Sequence, residues 1–518
     1  MKNAGQAIHI KKEVLVRIIK AFLSDNFEEQ ARLIPFAIRP KGMEVPYRCC
    51  IYKERAIIKD RTIAGLGFQI EEDDETVSLS TYAKKALERK EIDDKNLTVL
   101  QAACKGCLTN RIYVTDLCQG CIARPCQTAC KFGAITVING KSIIDEEKCK
   151  KCQMCVKVCP YNAIVKITVP CEDSCPVGAI KKDETGFASI DYSKCINCGR
   201  CIASCPFGAV HEKSQIIDIL KAIKSDKKVI AMIAPSIAGQ FPGNIYQLKT
   251  AIIQAGFDDV YEVAQGADIT ATNEAKEFSE RMKEVQAKNN EWIDAWVNEG
   301  GYAESEQEEK ADEKQEEEKK TFMTTSCCAG YNQLVKKHLQ DIKPYVSDTK
   351  TPLYYTAEIV KKEHPEAVTV FVSPCVAKRA EGFDNENVDY VMNYEELGAL
   401  FVAKKIEIMS CDETKYVTES SKQARCFGYS GGVADSVKSA LRDEKSVKPF
   451  VINGLNKESI RQLKQFAAKN ECEDGCNLIE VMCCEGGCIG GNASLNNQKT
   501  AKKLIDTLAS NSEDIPKI

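Results

Sequence analysis

The sequence predicts an α/β fold over residues 214–518, a cysteine-rich stretch over 98–213, and a small mixed helix–strand (α/β) accessory domain over 1–97. Three observations predict it. The runs "KKVIAMIAPS", "AVTVFVSPC" and "NLIEVMCCEGGC" have the length and apolar content of buried strands, and each leads into a loop. The chain holds 28 cysteines, sixteen of them within 98–213 and most at gaps of two or three residues. The accessory region combines a helix-like start with "RCCIYKERAIIKDRTIAGLGF" and the acidic turn "EEDDE".

Composition narrows the chemistry. With 518 residues and 44% hydrophobic content the chain can bury several cores. Its 71 basic and 75 acidic residues give no nucleic-acid footprint. No uncharged apolar run reaches membrane-spanning length, and Arg17 and Lys20 make the first helix amphipathic, so the expected location is the cytoplasm. Only four histidines occur, His9, His211, His338 and His364, which argues against imidazole-rich zinc or iron sites. Cysteines clustered in a long chain point instead to thiolate-bound iron. A charged insertion spans about 284–320, and "AESEQEEKADEKQEEEKK" within it reads as a solvated helix or a disordered loop. Cys49 and Cys50 have no nearby partners and are expected to be packed or free thiols.

The cysteine stretch counts out in fours. "CKKCQMCVKVCP" has the C-x2-C-x2-C-x3-C-P form that bacterial ferredoxins use, in which the fourth cysteine serves the neighbouring 4Fe–4S cube. "CQGCIARPCQTAC" is a variant with one longer gap and with Lys131 in place of the usual proline. Crossed pairing assigns Cys118, Cys121, Cys126 and Cys159 to one cube, and Cys149, Cys152, Cys155 and Cys130 to a second. "CINCGRCIASCP" begins another unit whose partner run is split between "CKGC" and "CEDSC". Cys195, Cys198, Cys201 and Cys175 would then hold a third cube, and Cys104, Cys107, Cys171 and Cys205 a fourth. One α+β ferredoxin-like unit is thus inserted in another. If Cys104 and Cys107 are a separate thiol pair, three cubes remain.

"TTSCCAGY", "SPCVAKRAE" and "EVMCCEGGCIGGN" resemble, in order, the three signature motifs of iron–iron hydrogenases. "GADITATNEAKEFSERM" and "NVDYVMNYEELGALF" are similar to further segments of that family. The resemblance implies two lobes around an active-site cluster. It implies that Cys328, Cys375, Cys484 and Cys488 bind a fifth cube, and that Cys488 bridges to a two-iron subsite carrying CO, cyanide and a bridging amine dithiolate. Lys378 would meet one cyanide, Ala234, Pro235 and Ser236 the other, and Met482 would pack beside the subsite. Gly486, Gly487, Gly490 and Gly491 would let backbone approach the cluster. Neighbouring side chains point apart, so Cys327 and Cys328 have different jobs, and Cys327 is implied to be the proton carrier. Its route would run by a water to Glu274, then Ser347, Glu277 and Arg281. Read without the resemblance, Glu277 and Arg281 are a surface pair on one helix face.

The resemblance implies reversible formation of H2 from protons, with ferredoxin or a similar carrier as electron partner and dedicated maturation proteins as assembly partners. Two other readings use the same residues: a slowly turning H2 sensor and a non-enzymatic iron–sulfur assembly factor. The chain departs from the family pattern at Ala329, Tyr331, Ser373, Asn492 and Ala493, as in a divergent monomeric branch. Cys411, Cys426, Cys472, Cys476 and Cys483 fall outside every set and are expected to be structural.

Overall fold

A computed structural model describes residues 6–43, 49–104, 107, 110–298 and 320–518. Two parallel sheets organise the region after 214. In the first, the strand order is Asp259–Glu262, Val229–Ile233, Val368–Ser373, Tyr390–Asn393. In the second it is Met323–Thr324, Leu478–Met482, Pro449–Asn453. The three apolar runs are the strands 229–233, 368–373 and 478–482, and every residue in them is buried. Parallel strands covered on both faces need that continuous apolar character.

The cysteine-rich stretch has nested strand pairing. Leu97–Val99 pairs antiparallel with Val210–Glu212 and so encloses everything between. Inside it, Arg111–Val114 pairs with Ile164–Ile167. Each enclosing pair carries one short hairpin, 180–182 with 188–190 for the outer unit and 135–138 with 141–144 for the inner. One local turn occurs four times. Cys130, Cys159, Cys175 and Cys205 each accept on Sγ from the N–H of an alanine four residues on, at 3.4, 3.4, 3.2 and 3.3 Å. The residue before each alanine is left-handed: Gly133, Asn162, Gly178 and Gly208. Glycine and asparagine enter that region at least cost. Lys131 leaves the turn intact.

The amino-terminal region corrects one expectation. Its described residues form four helices, Gln6–Phe22, Phe27–Ile38, Ile51–Gly65 and Leu79–Glu88, with no strand before Leu97. The β-branched residues of "RAIIKDRTIAG" suit strand and helix alike, but the buried positions Glu54, Ile57, Ile58, Arg61, Thr62 and Gly65 recur at helical spacing. Asn26 and Ser78 cap two of the helices, their side chains accepting from the N–H groups of Glu29 and Thr81. Nor is this layer a separate core. A single apolar cluster runs from Val14 and Ile18 through Ile216 to Val229 and Leu400. Lys11 crosses the junction to Glu212 at 2.7 Å and Glu395 at 2.5 Å. Of the charged insertion, residues up to Asn298 continue the helix Ala264–Asn298, and 299–319 lie outside the described residues.

Beneath this layer, Arg379 forks onto Glu396 at 2.8 and 2.9 Å, and both side chains are buried. Ser214 Oγ and the Asn393 N–H also donate to that carboxylate, at 2.5 and 2.7 Å. Arg379→Met leaves the Glu396 charge buried without its main partner, and is expected to cost roughly 3–5 kcal/mol. Removing the exposed Arg17–Glu13 pair should cost less than about 1 kcal/mol. Urea denaturation of the metal-free chain measures both.

Candidate active site

The site forms where four parallel strands end. Strands 229–233 and 368–373 are neighbours in one sheet and run out into Ala234-Pro235-Ser236 and Pro374-Cys375. Strands 323–324 and 478–482 are neighbours in the other and run out into Ser326-Cys327-Cys328 and Cys483-Cys484. Carboxyl ends of parallel strands collect functional groups because their loops emerge together. Here they bring Cys328, Cys375, Cys484 and Cys488 close enough for each sulfur's charge to act on the others. Burial is the main cause that pushes the Cys328 and Cys375 thiols up and Cys488 to about 12. Hydrogen bonding from Cys483 pulls Cys484 down.

Four half-buried sulfurs that act on one another's charge are a poor structural core and a good soft-metal site. A thiolate-binding cation supplies the charge that the protein withholds. Among the described residues no three His, Cys, Asp or Glu side chains close around the volume of a single ion. A cube asks for a different arrangement, with each sulfur meeting a separate iron corner. The glycines of the last motif let backbone segments pack closely around the cysteine loop. A Cβ at Gly491 would lie 2.8 Å from the Pro374 carbonyl oxygen, and one at Gly487, where φ is +78°, would lie 2.5 Å from the Ser430 nitrogen.

Lys378 Nζ lies among these sulfurs and bonds Glu381 at 2.6 Å. Burial works to lower its pKa, yet Glu381 and the nearby thiols hold it above the ordinary lysine value. Glu381 in turn accepts from Thr351 Oγ1 at 2.5 Å. Ser236 is buried and its Oγ lies 2.6 Å from the Tyr394 hydroxyl, close to the charge fields of Cys488 and Cys375. The Ala234 N–H donates to Val372 O at 2.9 Å, which fixes the loop that Pro235 continues. Met482 is buried in the apolar cluster that reaches Cys327 and Cys328.

Burial pushes the Cys327 thiol up, and the charges of Glu274, Cys328, Glu480 and Cys488 add to that. Glu274 is fully buried on the helix Ala264–Asn298, and burial lifts its carboxyl to about 7. Its Oε1 accepts from the Ser326 N–H at 2.8 Å and lies 3.0 Å from Ser326 Oγ, while Oε2 has no partner. Ser347 Oγ donates to Glu277 Oε2 at 2.5 Å, and Arg281 Nη2 donates to Glu277 Oε1 at 2.5 Å. The described residues show no hydrogen bond from Glu274 to Ser347. The gap is bridged by two residues that the sequence reading missed: Ser326 Oγ lies 2.7 Å from Thr349 O, and the Thr349 N–H donates to Ser347 Oγ at 3.2 Å. Ser326 stands inside the TSCC motif and was legible there; Thr349 carried no signal. Ser326, Ser347 and Thr349 all line one cleft open to solvent. Glu480 was also missed. It is buried, accepts from the Gly431 and Ala434 N–H groups at 2.7 and 2.8 Å, and is lifted to about 7 by burial.

The other cysteines fall into groups. One cavity is lined by Cys130, Cys149, Cys152 and Cys155, and another by Cys175, Cys195, Cys198 and Cys201. Cys104, Cys107, Cys171 and Cys205 feel one another's charge. Cys118 and Cys126 both reach Ser142, and Cys121 and Cys159 lie on the loops of the same unit. Outside these groups, Cys49 and Cys50 are exposed and not packed, Cys411 is buried, Cys426 is half-buried, and Cys472 pairs with Cys476. Of the departures from the family pattern, Tyr331 is buried with its hydroxyl 2.9 Å from Thr324 Oγ1, and Ala329 is buried in the same helical turn. Ser373 Oγ accepts from the Cys375 N–H at 3.4 Å, and the Ala493 N–H donates to Pro374 O at 3.2 Å.

What the fold and the sulfur geometry define together is an iron–sulfur redox enzyme. Comparison with known proteins gives the family. Residues 227–492, just over half of the chain, match the iron only hydrogenase large subunit, C-terminal domain. Residues 142–165 match a 4Fe-4S binding domain and 166–216 the LdpA Fe-S cluster-binding domain. The chain belongs to the iron-only hydrogenase large-subunit family, a family of oxidoreductases that act on H2. The periplasmic Fe hydrogenase large subunit of Nitratidesulfovibrio vulgaris is 25% identical over 403 residues, 67% of this chain and 85% of that protein. Iron hydrogenase 1 of Clostridium pasteurianum is 24% identical over 348 residues, and the NADP-reducing hydrogenase subunit HndD of Solidesulfovibrio fructosivorans is 25% identical over 338. The chain spans about half the length of those two, 55% and 52%. A solved FeFe-hydrogenase structure concerned with oxygen inactivation aligns over 58% of this chain and 91% of its own, at 18% identity and a TM-score of 0.41. No helix among the described residues is long and apolar enough to cross a membrane.

The Glu274 shift has a sign that can be measured. Its folded value of about 7 lies above the ordinary 4.5, so the fold favours the protonated form. Stability is complete below pH 4.5 and falls as pH rises through 7. Glu274→Gln should therefore match the parent chain at pH 4.5 and exceed it by up to roughly 3 kcal/mol at pH 8. Urea midpoints of the metal-free chain at the two pH values check this.

Proposed function

We propose that this chain is an iron–iron hydrogenase that interconverts protons, electrons and H2. One observation carries the reading: the ends of strands 323–324, 368–373 and 478–482 open into the loops that hold Cys328, Cys375, Cys484 and Cys488, with Cys327 beside Cys328 in the charge field of the buried Glu274. The donor set fits the implied groups. Cys328, Cys375, Cys484 and Cys488 would hold the cube. Lys378, Ser236 and the Ala234–Pro235 backbone would orient a two-iron subsite with CO, cyanide and amine dithiolate, and Met482 would cover it. When bound, that subsite supplies the centre at which H2 is formed or split.

The chain's own residues move the proton. Cys327 Sγ holds it as a thiol, since burial disfavours the thiolate. The unpartnered Glu274 Oε2 is the acceptor within the core, and a carboxyl lifted to about 7 both takes and gives a proton near neutrality. Ser326 Oγ connects Glu274 to the cleft wall, and Ser347, Glu277 and Arg281 carry the line to the exposed Asp348. Lys378, tied to Glu381 and Thr351, supplies a fixed positive charge opposite the sulfurs and does not need to titrate.

Electrons would enter at the far end of the cysteine groups. Residues 110–167 carry nine Lys and Arg against four Asp and Glu, in a chain whose net charge is −4. Ile122, Leu117, Tyr113, Phe132 and Tyr161 are exposed there, and so is Cys152. A basic, partly apolar surface beside a cube suits a small acidic carrier such as ferredoxin. Thiolates held for cubes also suit a reducing compartment, of which the cytoplasm is the simplest.

The test is infrared spectroscopy of protein matured with hydrogenase maturation proteins, together with H2 evolution from a reduced low-potential donor. Bands of metal-bound CO and cyanide with steady turnover are expected. Cubes without those bands would replace this reading with that of a scaffold, and bands with negligible turnover with that of a sensor. Cys327→Ala should keep the bands and the iron content while lowering turnover about 10²–10⁴-fold.

A further inference from the structure

Cys472 and Cys476 lie outside every sulfur group described above and are bonded to each other, with their Cα atoms 5.5 Å apart, inside the range that disulfides span. The loop between them closes because Asp474 and Gly475 are both left-handed, with φ of +54° and +65°. A disulfide is unusual beside so many thiolates kept for metal. A compartment that leaves those sulfurs reduced also reduces ordinary disulfides, and the pairs that form there are transient or redox-sensing ones. Both cysteines are buried. Of the two, Cys472 lines a surface cleft of about 550 Å³, beside Glu473, Asp474 and the helix Lys457–Lys469. The loop also holds two segments that lead to the active site. Asn470 Oδ1 accepts from the Thr321 N–H at 3.2 Å and from the Tyr345 hydroxyl at 3.0 Å, and Asn477 O accepts from the Met323 N–H at 2.9 Å. Thr321 and Met323 run on into Ser326-Cys327-Cys328. Tyr345 stacks on Phe322, ring centroids 4.2 Å apart, and runs on into Ser347, whose N–H donates to Thr324 O at 2.8 Å. Both cysteines share an apolar cluster with Phe322 and Tyr345.

We propose that Cys472 and Cys476 form a thiol–disulfide exchange site for a small dithiol, and that closing the pair clamps segments 321–324 and 345–347. One thiolate of a dithiol in the cleft attacks Cys472 Sγ. The S–S bond breaks, and Cys476 leaves as a thiolate that takes up a proton. The second sulfur of the dithiol then displaces Cys472, which is protonated in turn. The protein gains two electrons and two protons, and the dithiol departs as a disulfide. In the reverse direction a low-molecular-weight disulfide is reduced to two thiols as the protein pair closes. Open, the stretch from Asn470 to Asn477 loses its cross-link, and local opening of the amides it holds costs less. The exchange site goes beyond the hydrogenase reading and does not rest on it; only its effect on proton traffic past Ser347 does.

The experiment holds the full chain, with its cubes assembled and without oxygen, in mixtures of reduced and oxidised dithiothreitol or glutathione. Acid quenching, alkylation and mass spectrometry give the oxidised fraction at Cys472 and Cys476. Hydrogen exchange gives the protection of the Thr321, Met323 and Ser347 amides. The oxidised fraction is expected to follow the poise reversibly, with protection at those amides lost as the pair opens and strand 368–373 unchanged. A pair that stays a dithiol, or stays a disulfide, across the whole range overturns the exchange site. Protection that ignores the state of the pair overturns the clamp. With oxidised glutathione, Cys476→Ser should take up an adduct at Cys472 faster than Cys472→Ser takes one up at Cys476, and the opposite order overturns entry through the cleft. None of these readouts uses H2, so failure of the hydrogenase reading would show in the infrared bands and not here.

Discussion

The mutual repulsion of half-buried sulfurs brought to one point is the constraint on which the site depends. Cys328, Cys375, Cys484 and Cys488 come from three loops and two sheets, and burial makes it costly for them to ionise together. The metal-free fold therefore favours the protonated form of Cys328, Cys375 and Cys488, where an iron–sulfur group would place compensating charge. Binding releases those protons and relieves the repulsion in one event. The two sheets have few other reasons to face each other at this point. Their strand ends are joined by cysteine loops and glycine turns and not by a continuous apolar layer, since the two sheets contribute mainly to different clusters.

The same constraint explains the form of the cysteine-rich units. Four copies of one turn each present a sulfur to an alanine N–H, which lowers the cost of holding a thiolate before any metal arrives. Nesting one unit within another places both ends of the outer unit, strands 97–99 and 210–212, directly ahead of the first strand of the α/β region. The group around Cys195 and Cys198 thus stands next to the active-site loop, and the inner unit is left outermost. The helical layer of residues 6–88 secures that order. It shares its core with the first α/β sheet and ties Lys11 to both Glu212 and Glu395, one residue from each side of the junction.

Much of this was legible in the sequence because it is written in spacing. The apolar runs are three buried strands, and the cysteine intervals and motif order are what the expected groupings rest on. What was not legible depended on backbone geometry or on apolar residues with two uses. Ser326 and Thr349 complete the line from Glu274 to Ser347 partly through main-chain groups, which leave no mark in residue identity. The isoleucines of 51–65 suit strand and helix alike, and only their burial against Ile18 and its neighbours decides for helix.

The departures from the family pattern are not scattered at random over the site. Of Cys327, Glu274, Ser347, Glu277 and Arg281, none is among the departures; Ser347, Glu277 and Arg281 are joined by short hydrogen bonds, and Glu274 reaches them through Ser326 and the Thr349 main chain. Tyr331 and Asn492 do not match, and both lie toward the electron side. Tyr331 shares an apolar cluster with Cys483 and with Ile196, next to Cys195, and Asn492 packs on Gly199 next to Cys198. A proton relay tolerates little change, because each donor must stay within hydrogen-bond distance of the next acceptor. An electron crosses between cubes without such stepwise contacts, and the residues around the gap act on potential and packing. Variation is therefore cheaper around that gap, where Tyr331 and Asn492 lie, while Ala329, Ser373 and Ala493 depart beside Cys328 and on the Pro374-Cys375 loop.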